Sequence, residues 1–169
     1  QEALRESAEA LRESEARLKS IIDNEPECVK SVTVDGTLLD MNPAGLAMIE
    51  ADRRELAIGA NILSLVHPED HAAFLALHRR ACAGESGIGE FRIIGLRGTT
   101  RYMESHSAPI RDAAGKVISV LSITRVVTER RRVAAAIRES EARFASFMDN
   151  TTVLAWMKDL QPNPERVNP

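Results

Sequence analysis

One stretch of this chain is written twice: LRESEARLKSIIDN over Leu11–Asn24 and IRESEARFASFMDN over Ile137–Asn150. With Arg138 set against Arg12, an offset of 126 residues, RESEAR falls on RESEAR, Asp23-Asn24 on Asp149-Asn150, and Asn42-Pro43 on Asn168-Pro169. Self-similarity at a fixed period decides the organisation of a chain before any local reading does. Here it predicts one full period of a tandem array and the opening of the next. The expected divisions are an N-terminal helix over 1–23, a globular domain over 24–128, a second helix over 129–150, and the truncated start of a second repeat over 151–169.

With 169 residues, 44% of them hydrophobic, the chain has material for one domain-sized core beside the two helices. A net charge of −3 argues against a duplex-binding face, so no nucleic-acid partner is expected. Cys28 and Cys82 form no CxxC or metal-spaced pair, and a reduced, cytoplasmic setting is the simplest expectation. No apolar run reaches the ~18 residues of a membrane span, and no charged-then-apolar leader is present in this segment.

In the first helix ALRESAE is followed by ALRESEA, which puts Leu4, Leu11 and Leu18 at one heptad position and Ser7, Ser14 and Ile21 at the facing one. A seam strong on one side and small or polar on the other fits either a solvated linker helix or a two-stranded coiled coil, and the leucine spacing favours the latter. The second helix carries a comparable seam through Val133, Ile137, Ser140, Phe144 and Phe147, with Thr128 placed to cap its start. The expectation is a homodimer held through both helices, with Leu4, Leu11, Leu18, Ile21, Val133, Ile137 and Phe144 as its contacts.

Between the helices, CVKSVTV and TLLDMN flank Asp35-Gly36, a strong hairpin signal because both turn residues tolerate positive φ. Pro43 opens a short helix, Ile62–Val66 is read as a single turn, and His67-Pro68-Glu69-Asp70 as a helix start whose acids complement the helix dipole. That helix runs to Gly84 with Phe74, Leu77, His78 and Ala81 on one face. IGEFRII, TTRYMESHSAPI and KVISVLSITRVV then read as three antiparallel strands, the last apolar on both faces as if covered on both sides.

Two strands, several short helices, three strands and an exit helix is the order of a PAS sensor domain. The residues that carry the resemblance are DGTLLDMNPAG at 35–45, HPEDHAAF at 67–74 and VVTERRR at 126–132. They resemble, in turn, the family's hairpin and NPA helix start, its HPED approach to the long F helix, and its exit into the signalling helix. The resemblance spans Ser20 to Arg132 and implies an α+β PAS fold, a five-stranded antiparallel sheet with helices on one face, flanked by long coiled-coil-type helices. It implies a module of a multi-PAS bacterial signalling protein, such as a sensor histidine kinase, with a kinase or cyclase output domain elsewhere in the parent chain. One departure stands out: the family's exit acid is Val126 here, which predicts a looser joint to the exit helix. Arg130–Arg132 oppose the dipole of that helix and are read as a solvated basic turn.

No catalytic motif is present; G-x-S-x-G, H-E-x-x-H and a P-loop are all missing, so no enzyme is expected. His78 and Cys82, four apart, are spaced to share a metal, but two ligands make no site and a satisfied buried histidine is the preferred reading. Haem-binding members of the family take an axial histidine from this helix, which makes His78 or His71 the candidate; neither lies in a haem pattern and no haem is expected. A flavin adduct is excluded, because Asn42-Pro43-Ala44-Gly45-Leu46-Ala47 stands where the photosensors carry a cysteine. If a cofactor binds, it is expected to be small and non-covalent, between sheet and helix near Phe74, Leu77, His78, Phe91, Ile93, Met103 and Ser105. The opposing reading makes the domain a structural spacer with a plain core. The tail from Thr151, with Trp156, is expected to form no domain of its own.

Overall fold

The computed structural model of the chain describes residues 2–150, with side chains as far as Met148. The expectations for the tail and Trp156 fall outside the described residues. The chain divides into two compact units between Arg130 and Arg131.

The first unit opens with α1 (Glu2–Asp23), none of whose residues is buried. Asn24 ends it by sending both its backbone N–H and its side-chain amide to the Ser20 carbonyl, at 3.2 and 2.8 Å. β1 (Cys28–Thr33) and β2 (Leu38–Met41) form the expected hairpin. Gly36 sits at φ +93°, the backbone state that Asp-Gly turns need and other residues resist.

α2 (Pro43–Met48) starts at Asn42, whose side chain caps the Gly45 N–H at 3.0 Å. Its glycine is there for contact: a Cβ on Gly45 would lie 2.5 Å from Met41 Cγ and 2.7 Å from Cys28 Sγ. Short 3-10 turns follow at Arg54–Leu56, Ile62–Leu65 and Pro68–Asp70, and α3 (His71–Cys82) comes next. The sequence places the start of that helix at His67, but Pro68–Asp70 is a separate 3-10 turn. Asp70 gives α3 no side-chain cap. Its carboxylate instead accepts from the Arg92 backbone N–H at 2.7 Å and from the Arg92 guanidinium at 2.8 and 2.9 Å. An arginine fork outcompetes a helix end for a carboxylate, since two charge-assisted bonds exceed a partial charge.

β3 (Gly87–Ile94), β4 (Thr100–Arg111) and β5 (Val117–Val126) complete a five-stranded antiparallel sheet in the order β2-β1-β5-β4-β3. The first and last strands in sequence are thus neighbours at its centre. One face is buried beneath α2, the 3-10 turns and α3, with Val32, Leu38, Met103 and Val120 among its most enclosed side chains. Removing each from water contributes ~1.5–3 kcal/mol. The other face is open in the single chain: Ile88, Ile118 and Ile123 are exposed, which corrects the expectation that β5 is covered on both sides. Apolar residues on both faces of a strand show that both can be covered, not that this chain covers them.

α4 (Thr128–Asn150) begins in the first unit and continues as the second. Val133, Ile137, Phe144 and Phe147 on it are exposed, as are Leu4, Leu11, Leu18 and Ile21 on α1.

Candidate functional site

Strand periodicity aims alternate residues of the sheet at the helices: Cys28, Lys30 and Val32 from β1, Phe91 and Ile93 from β3, Met103, Ser105 and Ser107 from β4, and Val120, Ser122 and Thr124 from β5. Between them and the helical layer lies a cavity of about 30 Å³. Its wall is apolar, from Met41, Met48, Ile62, Phe74, Phe91 and Met103 among others, and its polar groups come from Cys28, Lys30 and Thr124. A larger open groove of about 590 Å³ runs beside the end of α1, but solvated ion pairs such as Arg54–Asp40 line it. The inner cavity, apolar with a few convergent polar groups, has the character of a ligand site.

Of the seven residues expected at a pocket, Phe74, Phe91, Ile93 and Met103 line this cavity. The rings of Phe74 and Phe91 meet edge to face at 5.0 Å. Leu77, His78 and Ser105 are buried but do not line it. Leu77 lies over β3, so close that a Cβ on Gly87 or Gly89 would be 3.0 Å from its methyls. His78 stacks on Phe74 and sets its Nε2 3.2 Å from the Val34 carbonyl, the satisfied buried histidine. Cys82 Sγ is 4.0 Å from that same carbonyl. His71 Nε2 is likewise 3.0 Å from the Val66 carbonyl, and no histidine lines the cavity.

Lys30 escaped the sequence reading. It is 6% exposed, and its Nζ donates to Thr124 Oγ1 at 2.7 Å. Thr124 Oγ1 in turn lies 2.8 Å from Ser105 Oγ. Burial pushes the Lys30 ammonium below its ordinary pKa, with the neighbouring Cys28 opposing; burial likewise raises the Cys28 thiol, against the pull of Lys30. The signal was available, because period-2 alternation puts Lys30 between inward Cys28 and Val32.

Two joints frame the cavity. At the first, buried Asn42 accepts from the N–H groups of Val29 and Gly45, both at 3.0 Å, and donates to the carbonyls of Ile22, Glu25 and Glu27 at 3.1, 3.2 and 2.9 Å. One side chain thereby fastens the end of α1 to β1 and α2. At the second, Tyr102 N–H donates to Thr128 Oγ1 at 2.9 Å, and Val127 N–H to the Tyr102 carbonyl at 2.8 Å. Glu104 accepts from Arg125 at 2.8 Å and from Arg130 at 3.3 Å, and these bonds, that of Arg125 foremost, hold its carboxyl below the usual range. The exit joint is therefore clasped without an acid at Val126. Arg130 is solvent-exposed, as expected for a solvated basic turn, and it is also an ion-pair partner of Glu104 and, at 3.7 Å, of Glu90.

A family model described as PAS fold matches residues 22–132. Among curated proteins, the uncharacterized protein y4lL of Sinorhizobium fredii is 26% identical over 88% of this chain and 18% of its own length. The biofilm dispersion protein BdlA of Pseudomonas aeruginosa is 33% identical over 59% of this chain and 24% of its own. The chain thus spans about a fifth to a quarter of these relatives. Among solved structures, the PAS domain of an HTR-like protein from Haloarcula marismortui superposes with a TM-score of 0.62, at 20% identity, over 72% of this chain and 98% of that one. Among the described residues no helix is long and apolar enough to cross a membrane.

Proposed function

The chain belongs to the PAS-fold family, and on that premise we propose that it is a sensory and signal-transmitting module of a dimeric cytosolic signalling protein, without catalysis of its own. In this reading a change in the cavity, or in dimer geometry, reaches the exit helix. The observation that carries it is the double duty of β4. Met103 walls the cavity, while its neighbours Tyr102 and Glu104 hold Thr128 and Arg130 at the start of α4. Successive residues of a strand point to opposite faces, so a shift of β4 at the cavity moves the helix joint with it. The kinase or cyclase output domain and the other repeats of the parent chain belong to the same proposal.

The spacer reading has an observation of its own, since about 30 Å³ is room for little more than a water. Hydrogen–deuterium exchange separates the two. Met103→Ala, which hollows the core at the cavity, is expected to speed exchange at the backbone amides of residues 128–135 more than at those of the equally buried β1; a speed-up no greater there than in β1, or exchange there equal to wild type, would leave only the spacer.

A further inference from the structure

Lys30 is the one lysine, arginine or acid among the described residues that is buried, and no ion pair of the described residues involves it. Its ammonium has three N–H donors, of which one meets Thr124 Oγ1. When the Ser105 hydroxyl donates to Thr124 Oγ1 across their 2.8 Å contact, that oxygen has accepted twice and the Thr124 hydrogen is left to point elsewhere. With the donation reversed, a hydrogen of Ser105 is left instead. Either way the Lys30–Thr124–Ser105 chain holds a surplus of polar hydrogens without acceptors, at the edge of a cavity whose other walls are hydrocarbon and sulfur. A buried ammonium short of acceptors costs several kcal/mol unless it gives up a proton or a negative acceptor joins it.

We propose that the cavity is a binding site for a small monocarboxylate, whose carboxylate is held by Lys30 Nζ and the Thr124 hydroxyl and whose alkyl part lies against Phe74, Phe91 and Met103. Ser105 is a positioning residue, donating to Thr124 so that Thr124 donates to the ligand. A carboxylate supplies acceptors for several donors at once and neutralises the ammonium, which water or an alcohol does not. The free volume is small, but Met41, Met48 and Met103 line it, and methionine is the apolar side chain that most readily repacks around an alkyl chain. This rests on the sensory reading and names the ligand class for it.

The test uses the 169-residue chain with sodium butyrate as probe, against sodium chloride at equal ionic strength and n-butanol at equal concentration. Butyrate is expected to raise the thermal unfolding midpoint of the wild type well beyond either control. Lys30→Met and Lys30→Gln are each expected to weaken the apparent butyrate affinity by about tenfold to a hundredfold, the value of a charge-assisted contact. Lys30→Met also removes a buried charge, so it is expected to fold with a midpoint at or above that of the wild type. Butyrate acting no better than chloride, or equally on both variants and the wild type, overturns the proposal. If butanol stabilises all three alike, the carboxylate is refuted and a neutral ligand takes its place within the same sensory reading. If neither compound acts and Met103→Ala leaves α4 exchange unchanged, the carboxylate site and the sensory reading fall together and the spacer stands.

Discussion

The Asn42 side chain makes hydrogen bonds to five backbone groups, and they run in both directions. It accepts from two backbone N–H groups and donates to three carbonyls in α1 and the loop that follows. An alanine there strands Val29 and Gly45 N–H groups under the core. Asn42→Ala is expected to lower unfolding free energy by about 2–4 kcal/mol, read by urea denaturation, as the loss of a helix cap and of buried partners together. Asn42→Asp keeps the acceptors but aims a charge at three carbonyl oxygens, and is expected to do no better. Asp70 acts by charge. Arg92 bonds hold its pKa at about 2, against about 3.9 for an unfolded aspartate. A depressed carboxylate contributes stability in full above the unfolded pKa and loses it as pH falls through the folded one. Asp70→Asn is therefore expected to cost about 1–2 kcal/mol at pH 7. The gap to wild type should shrink between about pH 5 and pH 2; urea titrations across that range that keep a constant gap would show that the pair does not stabilise the fold.

At the scale of elements, α1 poses the sharpest question, because its register is right for a seam and nothing in the single chain covers it. Leu4 is 76% exposed, and Leu11, Leu18 and Ile21 about 60%. An isolated helix of this polarity is marginal in water, so a helix that persists has a partner for its apolar stripe. A parallel copy of α1 is the partner we infer. Removing residues 1–18 is expected to convert a dimer to a monomer in light scattering at micromolar concentration; a truncated chain that stays dimeric would move the interface to the exposed sheet face around Ile88 and Ile123. The joint to α4 shows how an element boundary is read correctly for an incomplete reason. Thr128 was legible as a cap from its position, but its hydroxyl accepts from Tyr102 on β4, a partner 26 residues away. The absence of an acid at Val126 predicted a loose joint because only the local motif was in view. Glu104, across the sheet, supplies the clasp.

Over the described residues, the strands and long helices followed from signals confined to a few neighbouring residues, whereas the 3-10 turn at Arg54–Leu56 and the start of α3 at His71 did not. The 126-residue self-similarity set the helix–domain–helix order, Asp35-Gly36 the first hairpin, and the pattern of Phe74, Leu77, His78 and Ala81 the buried face of α3. Local sequence decides these because turn φ angles and side-chain periods of 2 and 3.6 are properties of the nearby backbone. It also pointed to Phe74, Phe91, Ile93 and Met103 in the cavity wall but not to the rest of the lining, since alternation names an inward residue but not the depth it reaches. Tertiary structure alone decided which inward residues meet. Leu77 and His78 share the buried face with Phe74, yet one covers the glycines of β3 and the other turns to Val34. Lys30 became a buried cation only because β1 lies beside β5, bringing it to Thr124 from 94 residues away. Asp70, placed by its motif at a helix start, was claimed by an arginine 22 residues on. The strongest polar contacts go to whichever partner the packed chain brings within 3 Å, and sequence neighbours lose that competition wherever a charged or buried group across the sheet satisfies the donor more completely.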